Sequence, residues 1–138
     1  MSNLLILPVL KATWETICMV FVSSVVGIFF GLLIGIILFL TSKKQVLENR
    51  LVNAGLSFVV NAGRSLPFII LLISISPLTQ LIVGTTIGTS AAIIPLILAA
   101  IPFFARVAES AFLEISPGLL ETSRSLGVNT WQLITKFL

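Results

Sequence analysis

The sequence contains no histidine, no aspartate and no tyrosine, and it has a single cysteine, Cys18. Without histidine and aspartate the chain cannot assemble a Ser-His-Asp triad or a His-ligated zinc site. One cysteine excludes both a disulfide within the chain and a CxxC metal site. Most hydrolytic chemistry and the common metal sites are therefore excluded, and we predict no catalytic residue, no metal site and no cofactor in this chain.

Charge is also scarce. Only 9% of the 138 residues are charged and 57% are hydrophobic, with a mean hydropathy of +1.18, whereas about a quarter of an ordinary soluble domain is charged. A water-soluble globule is excluded, and the solvent must be lipid. The net charge of +3 does not indicate nucleic-acid binding, because the eight lysines and arginines form no cluster that alternates with aromatic residues.

Long uncharged runs predict an all-α, multi-pass membrane fold. Residues 16–42 carry no charge and are long enough to cross the roughly 30 Å hydrocarbon core as one helix. Residues 65–105 are also uncharged, but as a single helix they would run to about 60 Å. We therefore place a break at Pro77, Gly84 and Gly88. The predicted spans are residues 16–42, 51–76 and 86–105.

The positions of lysine and arginine predict one orientation. Lys43, Lys44 and Arg50 share one short polar break, and Arg106, Arg124 and Lys136 follow the last apolar stretch. The positive-inside rule places these two regions in the cytoplasm. The amino terminus and the loop at 77–85 are then outside, and we expect the first fifteen residues to lie along the outer interface.

The first predicted span has a face of small residues spaced by four: Ser23, Gly27, Gly31 and Gly35. Such a face lets another helix approach closely. Helix packing is the favoured interpretation, over a direct role in binding a substrate.

The second predicted span has one polar face, formed by Asn53, Ser57, Asn61 and Ser65. Arg64 adjoins it, and Pro67 follows where it can kink the helix. An arginine within a span is costly and marks a candidate functional site, although it can also anchor the helix at the interface. Both interpretations stay open for a candidate pathway or gate support formed by Asn61, Arg64, Ser65 and Pro67.

The segment after the third span has helix signals of its own. Ser116 and Pro117 are typical of a helix start, and Gly127 is typical of a left-handed helix end. Asn129 and Gln132 have the spacing of a capping box that opens a second helix. From these residues alone, the favoured interpretation of Glu121 is a surface carboxylate paired with Arg124 or Ser125.

This segment resembles the EAA loop of bacterial ABC importer permeases, Glu-Ala-Ala-x-x-x-Gly. The matching residues are Glu121, Thr122, Ser123 and Gly127. The methionine importer permeases are similar over nearly the whole chain. The stretches that match them are Trp14-Glu15-Thr16, residues 63–70 (GRSLPFII), Ile82-Val83-Gly84-Thr85, and Pro102 to Arg106 ahead of Glu109.

The resemblance implies a permease subunit of an ATP-driven importer, with methionine as its solute, in the bacterial inner membrane. Its implied partners are a second permease copy, a cytoplasmic ABC ATPase that binds ATP and Mg, an external substrate-binding lipoprotein and membrane lipid. The implied coupling loop, at 114–138, would use Pro117, Gly118, Glu121, Thr122, Ser123 and Gly127. Thr122 and Ser123 stand where the family prefers alanine. The family has five spans, so the resemblance implies that this chain of three is truncated or a fragment.

Two other functions stay open. Amino-acid, phosphonate and metal importers share the same docking loop, so the solute could differ from methionine. A non-transporting membrane assembly subunit would also carry apolar helices that pack against a partner, and it would need no ATPase.

Overall fold

The computed structural model describes residues 2–43, 45, 47–114, 125 and 127. Two helices are long and apolar enough to cross a membrane, over Ile6–Thr41 and Thr89–Leu113. Two shorter helices, bent by 107° at the break between them, make a third span if they are counted as one. The predicted all-α membrane fold is confirmed. The four helices are α1 (Ser2–Thr41), α2 (Arg50–Ser65), α3 (Phe68–Val83) and α4 (Thr89–Leu113).

The first helix is longer than predicted. It begins at Ser2 rather than near Thr16, so the residues expected along the outer interface are the first turns of a 40-residue helix. No glycine interrupts the chain before Gly27, and Lys11 and Glu15, one turn apart, pair on the exposed surface at 3.9 Å. At 1.5 Å per residue α1 is about 60 Å long, roughly twice the thickness of the hydrocarbon core.

The predicted helix over 51–76 is wrong. The chain breaks at Leu66 and Pro67 instead, and Pro77 lies inside α3. Leu66 is extended, with φ −75° and ψ 127°, because the ring of a following proline disfavours the helical conformation. The predicted outer loop at 77–85 is correspondingly shorter, since α3 continues to Val83.

Two left-handed glycines make the turn between α3 and α4. Gly84 has φ 82° and its N–H donates to the carbonyl of Gln80 at 2.9 Å, and Gly88 has φ 107°. Glycine adopts this conformation without a steric penalty. The prediction that these two glycines break the chain is confirmed. The predicted end of the third span at residue 105 is too early, because α4 continues through Arg106 to Leu113.

Helices α1 and α4 pack together through the small-residue face. A Cβ added at Gly27 would lie 2.6 Å from the Cβ of Ala100, and one at Gly35 would lie 2.7 Å from the Cβ of Ala108. Gly31, between them, faces Phe104 at 2.6 Å in the same way. Ser23 is buried on this face and donates its hydroxyl to the carbonyl of Met19 at 2.7 Å. The close approach expected here therefore occurs, and α4 is the partner.

The register of these contacts shows that α1 and α4 are parallel. Each step of four residues along α1, from Gly27 to Gly31 to Gly35, is matched by a step of four along α4. Two parallel helices that each cross the bilayer must be joined by a segment that crosses back. The bent pair α2 and α3 is therefore a broken span rather than a re-entrant loop.

Helix α2 is attached to the end of α1 by a polar cluster. The side-chain amide of Asn53 donates to the carbonyl of Leu38 at 2.8 Å and to the hydroxyls of Thr41 at 3.1 Å and Ser42 at 3.4 Å. The side chain of Asn49 caps α2 by accepting from the N–H of Val52. These bonds satisfy backbone carbonyl and N–H groups at the helix ends that have no hydrogen-bond partner within their own helix. Beside them, a small apolar core joins three helices through Leu38, Val60 and Ala105.

The orientation can be tested by labelling single cysteines from outside intact cells, in a Cys18→Ser background. Ile87 is 84% exposed in the α3–α4 turn, and Leu47 is exposed in the α1–α2 turn. Ile87→Cys should react with an impermeant maleimide and Leu47→Cys should react only after the cells are opened. The opposite pattern would overturn the orientation. Thr79 is unsuitable as a probe, because it is only 2% exposed.

Replacing Gly31 with leucine should destabilise the α1–α4 pair. The new Cβ would meet the Cβ of Phe104 at 2.6 Å and the carbonyl of Ile101 at 3.0 Å, and overpacking of this kind costs about 1–3 kcal/mol. The measurement is the thermal unfolding midpoint of the purified permease in detergent. Gly55→Leu is the matched control, because a Cβ at Gly55 meets nothing within 4 Å. Equal midpoints for the two variants would show that the face is not a packing surface.

Candidate functional site at the broken span

The polar residues of α2 do not act as one face. Asn53 bonds to the end of α1, as described above, while Asn61 faces α4. The hydroxyl of Ser65 donates to the carbonyl of Asn61, within its own helix, at 2.7 Å. Helix α4 approaches the last turn of α2 closely, since a Cβ at Gly63 would lie 3.0 Å from Cγ of Pro102. The polar groups near the break are therefore held against α4.

Arg106 of α4 joins the two helices at this point. Its guanidinium donates to Oδ1 of Asn61 at 2.7 Å and forms an ion pair with the carboxylate of Glu109 one turn further along α4. Glu109 is only 5% exposed. A buried carboxylate needs a paired charge, and the planar guanidinium can serve two acceptors at once. The Asn61–Arg106–Glu109 group is a charged, hydrogen-bonded link in an otherwise apolar bundle.

Distances along two helices place this link relative to the end of α1. Because Gly35 faces Ala108 in parallel helices, Arg106 is level with Leu33, eight residues or about 12 Å from the end of α1 at Thr41. In α2, Asn61 lies eight residues, again about 12 Å, beyond Asn53, which bonds to that same end of α1. The link therefore lies within the candidate spans, about 12 Å along the helices from the end of α1.

Arg64 lies one turn deeper, at the break itself, and it lines two cavities. The outer cavity, about 270 Å³, is bordered by the α2–α3 break and by α4, with the apolar side chains of Leu66, Phe68, Leu71 and Phe103 in its wall. The inner cavity, about 370 Å³, is lined by Arg64 together with Arg106, Val107, Ser110 and Ala111 of α4 and with Glu114 at the end of that helix. The Arg64 side chain thus lines both cavities.

The charges at this depth do not balance. Arg106 is compensated by Glu109, whereas no hydrogen bond or ion pair joins Arg64 to another of the described residues. An uncompensated cation among lipid tails is costly, so Arg64 requires water or an anion beside it. The arrangement is suited to binding an anionic group, and no cluster of three potential metal ligands occurs in the described part of the chain.

The candidate residues from the sequence fall into three groups. Asn61, Arg64 and Ser65 lie in the last turns of α2, Pro67 lies at the break that follows, and the glycine face lies between α1 and α4. Gly127 has φ 71°, so the predicted left-handed backbone there is confirmed. The rest of the predicted coupling loop lies outside the described residues: Pro117, Gly118, Glu121, Thr122 and Ser123.

Sequence reasoning missed two residues of the site. Arg106 was expected beyond the last span and Glu109 was not singled out, but both lie in α4. A signal was present, because an arginine and a glutamate three residues apart face each other on a helix. It would have indicated that the apolar stretch continues past residue 105 as a helix with an internal ion pair.

Removing one partner of the ion pair should destabilise the protein more than removing both. Glu109→Leu leaves the Arg106 charge with Asn61 alone, and breaking a buried pair costs about 3–5 kcal/mol. The double variant Arg106→Leu, Glu109→Leu should lose less, because no unpaired charge remains. Thermal unfolding in detergent measures both. If the double variant unfolds at a lower temperature than Glu109→Leu, an unpaired Arg106 charge is not the cause of the lost stability.

Comparison with known proteins is consistent with this architecture. Residues 27–138 match the family model described as "Binding-protein-dependent transport system inner membrane component". The "Probable D-methionine transport system permease protein MetI" of Pasteurella multocida is 52% identical over 126 residues, which are 91% of this chain and 58% of that protein. The D-methionine transport system permease protein MetI of Escherichia coli K12 is 44% identical over 138 residues, 100% of this chain and 64% of that protein.

The fold is also similar to a solved one. A crystal form of the MetNI methionine ABC transporter in an inward-facing conformation superposes with a TM-score of 0.95 at 43% identity, over 99% of this chain and 63% of the solved chain. This chain spans between 57% and 64% of the length of the curated relatives it matches. By sequence and by fold, the chain belongs to the family of binding-protein-dependent transport system inner membrane components.

Proposed function

We propose that this chain forms part of the permease subunit of an ATP-driven importer for methionine. The observation that carries the proposal is the agreement of sequence and fold over nearly the whole chain with permeases named for methionine transport. The solute is then moved through a path between helices. The permease performs no covalent chemistry itself.

The partners follow from the same proposal. A second permease copy would complete the path, and a separate cytoplasmic ATPase would bind ATP and Mg. An external lipoprotein would deliver the solute. These partners are properties of the whole assembly, and the resemblance of residues 121–127 to the EAA loop supports the contact with the ATPase.

The packing supports a mechanism for coupling. The segment that begins at 114 follows α4 directly, and α4 is locked to α1 by the glycine face and to α2 by the Arg106–Asn61 bond. A displacement imposed on the coupling loop would therefore move α1, α2 and α4 together. The break at Leu66 and Pro67 lets α3 change its angle to that group, because no continuous helix joins them.

The function can be tested by uptake in a bacterial strain that lacks its own methionine importers. The complete permease, produced with its ATPase and lipoprotein, should restore uptake of labelled methionine. Excess unlabelled methionine should inhibit this uptake, and other amino acids should not. Copurification of the ATPase without methionine uptake would indicate another solute. Loss of both would favour a non-transporting assembly subunit.

Two variants test the coupling loop. Gly127→Val should abolish both copurification of the ATPase and methionine uptake, because valine strains a backbone with φ 71°. Glu121→Lys should do the same, because it presents a cation where an acceptor is proposed. The amount of permease in the membrane should be unchanged in both, since neither residue lies in a span.

Gly55→Val is the matched control, since it makes the same chemical change in a helix with open space around it. It should leave copurification of the ATPase and uptake intact. Normal transport by both loop variants would refute the docking role of this segment.

A further inference from the structure

We propose that Arg64 binds the carboxylate of the amino acid in transit, while the apolar wall of the outer cavity contacts its side chain. The proposal rests on the proposed importer function and adds a substrate-binding position to it. That position is the junction of the two cavities at the α2–α3 break.

The charge balance is the first argument. Three ionisable side chains of the described helices lie near the α2–α3 break: Arg64, Arg106 and Glu109. Together they leave one positive charge uncompensated. Glu114 also lines the inner cavity, but it lies eight residues beyond Arg106, about 12 Å along α4. By the same register Glu114 is level with Thr41 at the end of α1, so it lies at the membrane boundary. None of the described residues at this level neutralises Arg64, and its guanidinium is left to bind an anion.

Arg64 lies within a span and not at its end. It is three residues beyond Asn61, about 16 Å along α2 from Asn53, and α2 and α3 together make one broken span. An arginine within a span is costly unless it is paired or hydrated. Arg64 therefore faces a hydrated path or a ligand, and the two cavities supply the space.

The outer cavity is suited to the side chain of an apolar amino acid. Its wall contains Phe68 and Leu71 of α3 and Phe103 of α4, and thioether and aliphatic groups pack favourably on aromatic rings. The cavity, about 270 Å³, is slightly smaller than the roughly 300–1,000 Å³ of typical ligand pockets. The pairing of one guanidinium with an apolar wall therefore fits a single small amino acid with an apolar side chain. An arginine is suited to the carboxylate because its planar fork can donate two parallel hydrogen bonds.

Chemical rescue of Arg64→Cys tests the proposal in the complete transporter, with its ATPase and lipoprotein, in a Cys18→Ser background. Methionine uptake into proteoliposomes should fall about tenfold or more, the loss expected for one charge-assisted hydrogen bond. Treating the assembled transporter with aminoethyl methanethiosulfonate, which adds a cation at the thiol, should restore uptake. The neutral propyl and the anionic sulfonatoethyl reagents should not.

Two controls separate binding from structure. Arg50→Cys removes the same charge from the first residue of α2, and it should transport normally with or without each reagent. Methionine delivered by the lipoprotein should slow modification of the thiol introduced at 64 and not that at 50. Arg64→Lys, which retains the cation, should transport better than Arg64→Cys and provides a second variant if the cysteine impairs assembly.

The outcomes distinguish this proposal from the proposed function. If the unmodified transporter takes up no methionine, the importer function itself fails. If it transports and Arg64→Cys matches it, or if the neutral reagent rescues as well as the cationic one, the carboxylate position at Arg64 is wrong and the importer function stands.

Discussion

The contact between the glycine face of α1 and α4 determines the rest of the architecture. With Gly27, Gly31 and Gly35 facing Ala100, Phe104 and Ala108, the two helices are parallel and in contact along much of their length. In lipid there is no hydrophobic force to hold helices together, so close backbone approach supplies the attraction. The parallel arrangement then obliges α2 and α3 to return across the membrane between them, as a span broken at Pro67.

The break has a chemical consequence. It brings the end of α2, the start of α3 and part of α4 together, where cavities open on both sides of Arg64. Polar and charged groups are tolerated within a span only when they are paired or hydrated. Arg106 is paired with Asn61 and Glu109, while Arg64 has a cavity on each side. A rigid charged link and a charge open to a ligand thus lie one turn apart.

The same helices connect this site to the segment that follows α4. α4 contributes to the glycine contact, to the Arg106 link and to both cavity walls, and the segment resembling the EAA loop follows it directly. In the proposed importer, a movement of that segment would therefore be transmitted through α4 rather than through a chain of separate contacts. Because α1 and α4 pack in parallel through the glycine face, the two helices move as one body. The hydrogen bonds of Asn53 attach the start of α2 to the same body.

The sequence by itself determined the solvent, the helical class, the small-residue face of α1 and the chain break at Gly84 and Gly88, because each depends on composition or on local backbone chemistry. It indicated a kink at Pro67 but placed a full break at Pro77. Pro67 and Pro77 both lack an N–H, yet the chain bends at the first and continues as helix through the second. Only the tertiary structure showed where the chain bends and which residue of α2 Arg106 contacts, because that contact depends on how α4 packs against Asn61, 45 residues away in the chain.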